Sequence, residues 1–433
     1  MATDLHDRLA DLAGHTPSAS PPPDLWDRGV RRRRATMVTR AAVAVAAVAL
    51  ATVSAVSWHL SRPAPPADAP GAVQVPDRLY QPSPWLPSFD DKPGALIGVI
   101  PTPRRTFWHE ENGFVGVTAA TGSYGFLRLP DLASTDAFAD PVSLSPDGRR
   151  LAVWVTGPVS GNPRGKAPVA GLDIHDLTTG AVERWRPETV HGLMPDSIRW
   201  AGPDTVLVEF AQWVRGGAGV DGTAREDRTY RWDLPSGRPR ALPDRQQGSS
   251  TATGHRLVLA RSRAVVIADL DDPSARTRVG HVGSQHQLLW VNPSGTRLAG
   301  QQGQGNNNEL VTGRVPQGGG DLVGRRVVSV TGVRQIYSVV GWLDDEHLVV
   351  GGVTTGRAPQ GQLVSVDVRS GDAVPLIAPF VTSQVAAGLL GAPVVHASPP
   401  PSPHDPRLTA LGCVLGLGFL LVLVVWGFRA RRP

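Results

Sequence analysis

One short unit returns along this chain and limits what it can fold into. "SPDGRRLAVW", beginning at Ser145, joins a tight turn to an alternating apolar strand. Pro146 presets the φ angle of a turn's second position, Asp147 can bond its own backbone, and Gly148 accepts the positive φ that other residues resist. Leu151, Val153 and Val155 then share one face of the strand. Degenerate copies begin at residues 202 ("GPDTVLVEF"), 253 ("TGHRLVLA"), 292 ("NPSGTRLAG") and 343 ("LDDEHLVVGG"). Second strands that end in an acid or a turn follow at 171 ("GLDIHDLTTG"), 229 ("TYRWDLPSG"), 265 ("VVIADLDD") and 363 ("LVSVDVRSG"). Partial copies start at Tyr124 ("YGFLRLPDLAS") and Asn308 ("NELVTGRVPQGG").

Five steps from Asp131 to Asp367 average about 47 residues. A period in the forties with several strands per repeat is the sequence mark of propeller blades. The expected fold is therefore all-β: a β-propeller of about six four-stranded blades, with five and seven as the alternatives, flanked by two transmembrane helices. Ser145, Pro146, Asp147 and Gly148 read as a structural blade turn, because the unit recurs with no group poised for chemistry.

Composition agrees with a turn-rich β protein: 40 prolines, 48 glycines and 12 tryptophans in 433 residues. The net charge of +5 suggests nucleic acid until it is located. Residues 1–40 carry seven arginines against five aspartates, the last five residues carry three arginines, and residues 41–428 sum to zero. All the basicity is terminal, so no electrostatic footprint for nucleic acid covers the body of the chain. The single cysteine, Cys413, lies in an apolar run, which excludes an internal disulfide framework and a cysteine-based metal site.

Two runs set the expected topology. Residues 41–58, "AAVAVAAVALATVSAVSW", hold no charge and are long enough for a membrane helix. "RRRRATMVTR" precedes them, so Arg31, Arg32, Arg33 and Arg34 mark a cytoplasmic flank and Trp58 the opposite interface. The alternative for this run is a cleaved signal peptide with a long charged leader. The second run, 408–428, is richer in leucine and valine and ends with Trp426, Arg429, Arg431 and Arg432. Both termini are then cytoplasmic and residues 61–407 lie outside.

The resulting plan has a cytoplasmic head (1–40), a span (41–60), a Pro-rich linker (61–79), the propeller (80–393), a second Pro-rich linker (394–407), a span (408–428) and a short tail (429–433). In the head, "TDLHDRLADLA" reads as an amphipathic helix with Thr3 as its cap and Gly14 as its stop. Leu5, Leu9 and Leu12 share its apolar face and form a candidate partner-binding surface. So short a helix is marginal alone, which calls for a partner or a membrane surface.

The pairing of "SPDGRRLAVW" with "GLDIHDLTTGAVERW" resembles the repeat of TolB-like and WD-repeat-like β-propellers. The likeness is specific only at 143–185 and 337–375, and the strict tryptophan–aspartate signature is absent. The overall plan resembles actinobacterial membrane proteins with a short cytoplasmic head, an arginine tract, a span and an exported propeller. Several of those stand beside extracytoplasmic-function sigma factors, which implies an anti-sigma-like role for the head.

No motif carries catalysis. "GAGVDG" (217–222) matches a dinucleotide fingerprint, but "TAREDRTYRWDL" returns to a strand where a helix is required. No nucleophile elbow and no zinc-protease motif occurs. His109, Glu110 and Glu111 read as a solvated turn, residues 300–309 as an amide-rich connection, and His191, His281, His286 and His347 have no ligand spacing. Trp154, Trp200, Trp232, Trp290 and Trp342 read as wedges between blades in preference to an aromatic ring lining the channel.

The reading that results is non-enzymatic: a two-span membrane protein that displays a ligand- or protein-binding propeller outside, with no cofactor. Its expected partners are the membrane, an extracytoplasmic protein or small ligand, and a cytosolic regulator such as a sigma factor at the head. The rivals are an exported propeller hydrolase of lactonase type and a passive TolB-like envelope assembly component.

Overall fold

The computed structural model describes residues 2–14, 24, 26–30, 33, 73–133, 140–161, 167–215, 223–225, 228–242, 250–253, 256–261, 264–272, 274–280, 289–301, 308–355, 360–380, 384–403 and 405–430. The chain divides into two compact units: Leu60–His404, and Met1–His59 with Asp405–Pro433.

The first unit is built from six blades, each with four antiparallel strands; Val169 of blade 2 also pairs with Leu193 of blade 3, and Gly320–Asp321 adds a parallel strand to the edge of blade 4. Blade 2 has Val142–Leu144, Arg150–Thr156, Val169–Asp176 and Val182–Trp185. Blade 3 follows with Leu193–Trp200, Thr205–Arg215, Arg228–Asp233 and Arg238–Ala241. Blade 4 has Ser250–Thr253, Arg256–Arg261, Ala264–Asp269 and Arg276–Gly280. Blade 5 has Leu289–Val291, Arg297–Gln301, Glu309–Arg314 and Val323–Ser329. Blade 6 has Val333–Trp342, His347–Thr354, Gly361–Asp367 and Ala373–Ile377.

Blade 1 is composite. Leu96–Arg105, Glu110–Thr118 and Tyr124–Phe126 come from the start of the propeller, and the innermost strand, Gln384–Val385, comes from its end. Gln384 pairs with Val99 and Val385 with Gly98, so the last strand fastens the ring to the first blade. First strands of neighbouring blades touch from blade 1 round to blade 5. Blade 6 completes the ring against the second strand of blade 5 and the turn after the closing strand, Ala387–Leu389. A closed ring of this kind is a six-bladed β-propeller, and closure protects the sheet edges.

The core is distributed between blades. Buried apolar side chains form six clusters, one at each blade interface: Leu151, Val153 and Val155 between blades 1 and 2, Trp154 and Trp232 between 2 and 3, and so around the ring. Second and third strands are covered on both faces, which is why they read as nearly continuous apolar runs. Burying one such side chain is worth about 1.5–3 kcal/mol, and the repeated interface multiplies it. Two tryptophans also tie adjacent blades: Trp200 Nε1 donates to Ser143 O at 3.1 Å, and Trp342 Nε1 to Trp290 O at 3.2 Å.

The turns that make the repeat sit at one end of the blades. Ser145 Oγ donates to Asp147 Oδ1 at 2.7 Å and accepts Arg150 N at 2.9 Å, and Asp147 Oδ1 accepts Arg149 N at 3.1 Å. The recurring acid closes the third strand and caps the turn to the fourth. Asp176 Oδ1 accepts the Thr178 and Thr179 N–H groups, each at 2.9 Å, and Asp367 Oδ1 accepts Arg369 N at 2.6 Å. Arg150 crosses from blade 2 to the blade 3 turn, donating to Pro203 O at 2.8 Å and pairing with Asp204 at 2.5 Å.

Two expectations need correction. Asp131 does not start the acid repeat: it lies in the link leaving blade 1, and the residue at the equivalent place is Thr118, whose Oγ1 accepts Ser123 N at 3.0 Å. A hydroxyl does the acid's capping work there, so an acid-based count starts in the wrong place. The propeller also exceeds 80–393. Val75–Pro76 pairs in parallel with Val394–Val395, and Val75 and Leu79 are completely buried. Asp77 accepts Ala397 N at 2.8 Å and meets His396 Nδ1 at 2.9 Å. Part of each expected Pro-rich linker is therefore a clamp that joins the two ends of the propeller.

This clamp lies at the turn end of the blades, because Gln74 N donates to Ala119 O, in the turn after Thr118. The connections between second and third strands leave from the opposite end. Alternation of strand direction puts the hairpin at 106–109 and the ends of the second strands at Thr156, Arg215, Gln301 and Thr354 on that second face.

In the second unit, helix α1 spans Ala2–Gly14 and helix α2 spans Pro406–Ala430. Among the described residues no helix is long and apolar enough to cross a membrane. The backbone of α2 runs for 25 residues, and large apolar side chains stand exposed along it, among them Leu408, Leu411, Leu415, Phe419 and Val422. The expected span at 41–58, with Trp58, lies outside the described residues, as do Arg31, Arg32, Arg34, Arg431 and Arg432 and the side chains of Trp426 and Arg429. Arg33 is described and exposed.

Candidate functional site

One cleft in the propeller surface follows from a short strand. The fourth strand of blade 1 has three residues, Tyr124–Phe126, after which Leu127 N bonds Phe114 O at 2.8 Å and the chain turns away. Beside it, the outer part of blade 2 is left partly uncovered. A cleft of about 930 Å³ opens there between the two blades.

Its floor is apolar, with Phe114, Phe126, Leu127 and Leu177. Its walls are charged. Arg104 pairs with Glu111 at 3.2 Å and lies 5.8 Å from the centre of the Phe126 ring, and Arg128 faces Asp91 at 3.7 Å. Asp90 and Asp131 line the cleft without a side-chain partner among the described residues. Asp131 has φ +57°, a left-handed conformation that Asp tolerates better than most residues. Its carbonyl fixes it there by accepting Thr156 N at 2.7 Å and Thr156 Oγ1 at 3.1 Å.

His175 is supplied by the third strand of blade 2. Leu172 and Ile174 point to the blade 3 interface, so Asp173 and His175 take the opposite face, toward blade 1. Asp173 is consumed by structure: Arg186 reaches it at 2.5 Å and Arg184 at 3.7 Å. His175 Nε2 is buried with no hydrogen-bond partner among the described residues. Burial pushes the His175 pKa down, with Arg184 adding to the effect and Asp173 opposing it, so the ring is neutral at pH 7. Burial alone would raise Asp176, but the Thr178 and Thr179 donors outweigh it and hold its carboxyl below the usual range.

Among the described residues, these groups are not arranged as a nucleophile, a base and an orienting acid. Among the described residues no three His, Cys, Asp or Glu side chains gather as a set of metal ligands. His109, Glu110 and Glu111 sit at the exposed hairpin of blade 1. There His109 Nδ1 meets Thr106 Oγ1 at 2.9 Å and Glu110 pairs with Arg105 at 2.6 Å. Residues 217–222 and 302–307 lie outside the described residues.

The sequence-derived site residues do not converge on the cleft. Ser145, Pro146, Asp147 and Gly148 form the turn between the first two strands of blade 2. Leu5, Leu9 and Leu12 lie on α1, where Leu9 is 58% exposed and the side chains of Leu5 and Leu12 are outside the description. His175 was missed, although "GLDIHD" carries its signal: a strand buried on both sides alternates apolar with polar residues on the face toward blade 1.

No family model matches this chain, and no curated protein matches it. Solved structures do resemble it. TolB from Acinetobacter baumannii is 15% identical over 68% of this chain and 67% of its own, with a TM-score of 0.39. A nidogen/laminin complex is 10% identical over 67% and 99%, with a TM-score of 0.38. A putative 6-phosphogluconolactonase from Bacteroides fragilis is 11% identical over 65% and 81%, with a TM-score of 0.34. Likenesses this distant decide nothing about function; the fold rests on the six blades and their closure.

Proposed function

We propose that the chain is a membrane-anchored binding protein that displays its propeller outside the cell and a docking helix inside. The observation that carries this reading is α2. Its exposed apolar side chains, Leu408 at 68%, Val414 at 64% and Phe419 at 63%, lie on several sides of one helix. An apolar surface of that extent needs a lipid or protein environment. The basic residues after it and the arginine tract before 41–58 favour two crossings with both termini in the cytoplasm. The clamp at Asp77 suits such an arrangement, since it brings the segment near Val75 and the segment near His396 together at one end of the blades.

In the finer form of this reading, α1 holds a cytosolic regulator, such as a sigma factor, through Leu5, Leu9 and Leu12. These positions follow the spacing of one helical face, and Leu9 is exposed. Full-length protein carrying Asp at all three positions should lose that partner.

Topology is the primary test. In a Cys413→Ala background, Ser160→Cys and Asp7→Cys report on the propeller and the head. A membrane-impermeant maleimide should label Ser160→Cys in intact spheroplasts and Asp7→Cys only after permeabilisation. Labelling of both before permeabilisation, or of neither, would overturn the reading.

A further inference from the structure

We propose that the cleft between blades 1 and 2 is a ligand site for a cationic group carried on an apolar body, an alkyl or aryl amine or guanidinium. The proposal rests on the reading of the propeller as a binding module and names the chemistry it would recognise.

Size and lining come first. About 930 Å³ lies at the upper end of the range of small-molecule pockets, which combine apolar walls with a few polar groups that orient the ligand. Phe114, Phe126, Leu127 and Leu177 provide such walls.

Charge then selects the ligand. Both arginines in the cleft already face carboxylates, Arg104 with Glu111 at 3.2 Å and Arg128 with Asp91 at 3.7 Å. Asp176 is engaged by its own turn at Thr178 and Thr179. Among the described residues, that leaves three carboxylates to set the sign of the field, the unpaired Asp90 and Asp131 and also Asp176, whose donors are neutral, against the one cation of Lys92 beside Gly180. An anionic ligand would have to displace an existing ion pair or be held by Lys92 alone, whereas a cation meets two free acceptors.

His175 does not offset these carboxylates. Its Nε2 is closed off from solvent without a partner among the described residues, and burial keeps the ring neutral, so the blade 2 wall adds no positive charge at this position. Asp131 is held in its unusual backbone conformation by Thr156, so its position does not depend on a ligand arriving.

The test uses the full chain in phosphatidylcholine nanodiscs, with empty discs subtracted, titrated calorimetrically with 4-phenylbutylamine and with 4-phenylbutyrate. The two probes share an apolar body and differ in the sign of their charge. The amine should bind at least tenfold more tightly than the carboxylate. Asp90→Asn together with Asp131→Asn should weaken amine binding at least fivefold while leaving the thermal midpoint unchanged, since both positions are exposed. Equal binding of the two probes, or full amine affinity in the double variant, would overturn the proposal. The maleimide topology experiment is independent of either result, so failure here and failure of the membrane-display reading are distinguishable.

Discussion

Gly148 and Leu96 approach so closely that no side chain fits between them. Leu96 N donates to Gly148 O at 2.8 Å, and a Cβ added to Gly148 would stand 2.1 Å from Leu96 O. Gly148 also has φ +70°. The contact joins the inner turn of blade 2 to the start of blade 1, across the interface filled by Leu151 and Val153. Gly148→Ala should therefore destabilise the propeller by about 3 kcal/mol or more, combining left-handed strain of ~1–2 kcal/mol with a backbone clash. Gly122 is the control: it has φ +66° but nothing within 4 Å of an added Cβ. Gly122→Ala should cost only the strain, about 1–2 kcal/mol. Thermal midpoints of the two variants read the difference directly.

The tryptophan wedges give a second comparison. Trp200 Nε1 donates to Ser143 O at 3.1 Å across the blade 2–3 interface. Trp154 Nε1 is buried at the same interface with no partner among the described residues. Both Phe replacements lose ring volume, but only Trp200→Phe also removes a hydrogen bond. Trp200→Phe should lower stability by about 1 kcal/mol more than Trp154→Phe, the usual net worth of one such bond. Equal midpoints in a denaturant titration would show that the bond contributes nothing.

Blade architecture was legible because its turn chemistry is local. A tetrapeptide such as 145–148 declares its conformation without reference to the rest of the chain, and four of the acids found at strand ends, Asp176, Asp233, Asp269 and Asp367, close third strands in the structure. Blade 1 was obscured because Thr118 replaces the acid and its first strand comes from the far end of the chain, Gln384–Val385. The clamp was hidden by composition: prolines around Val75 and His396 suggested free linkers, while its bonds span more than 300 residues, as from Asp77 to Ala397. The cleft was hidden for a similar reason. It exists because Tyr124–Phe126 is short and because that strand lies beside His175, an adjacency that no local pattern encodes.

His175 predicts a pH dependence. Burial lowers its pKa in the folded protein below the ordinary 6.5. The unfolded chain then binds a proton at a pH where the folded chain does not, so stability rises with pH across that interval. His175 should therefore contribute full stability above about pH 6.5, and that contribution should fall as the pH drops toward the lowered folded value. Thermal midpoints between pH 7.5 and 5 should decline more steeply for the wild-type chain than for His175→Gln. Parallel profiles would mean that the imidazole is as easily protonated in the propeller as in solvent.

The clamp predicts a dependence of the same sign in a more acidic window. Burial acts to raise the Asp77 pKa. The Ala397 N–H, the His396 hydrogen bond and the charges of His396 and Arg78 outweigh it and bring the carboxyl below its ordinary 3.8. A carboxylate depressed on folding stabilises the fold above its unfolded pKa and loses that contribution as the pH falls through the folded value. Asp77→Asn keeps an oxygen to accept Ala397 N but removes the charge, so it isolates the ionic part of the clamp. The wild-type midpoint should exceed that of Asp77→Asn at pH 5, and the gap should close as the pH falls below about 3.8. Val75 and Leu79 stay buried whatever the charge at Asp77, so the ring itself should remain closed in the variant and only the junction of the two propeller ends should loosen. Faster proteolysis confined to the segments flanking Asp77 and His396, with the six blades intact, is the expected signature; cleavage within the blades would show that the clamp holds the whole ring.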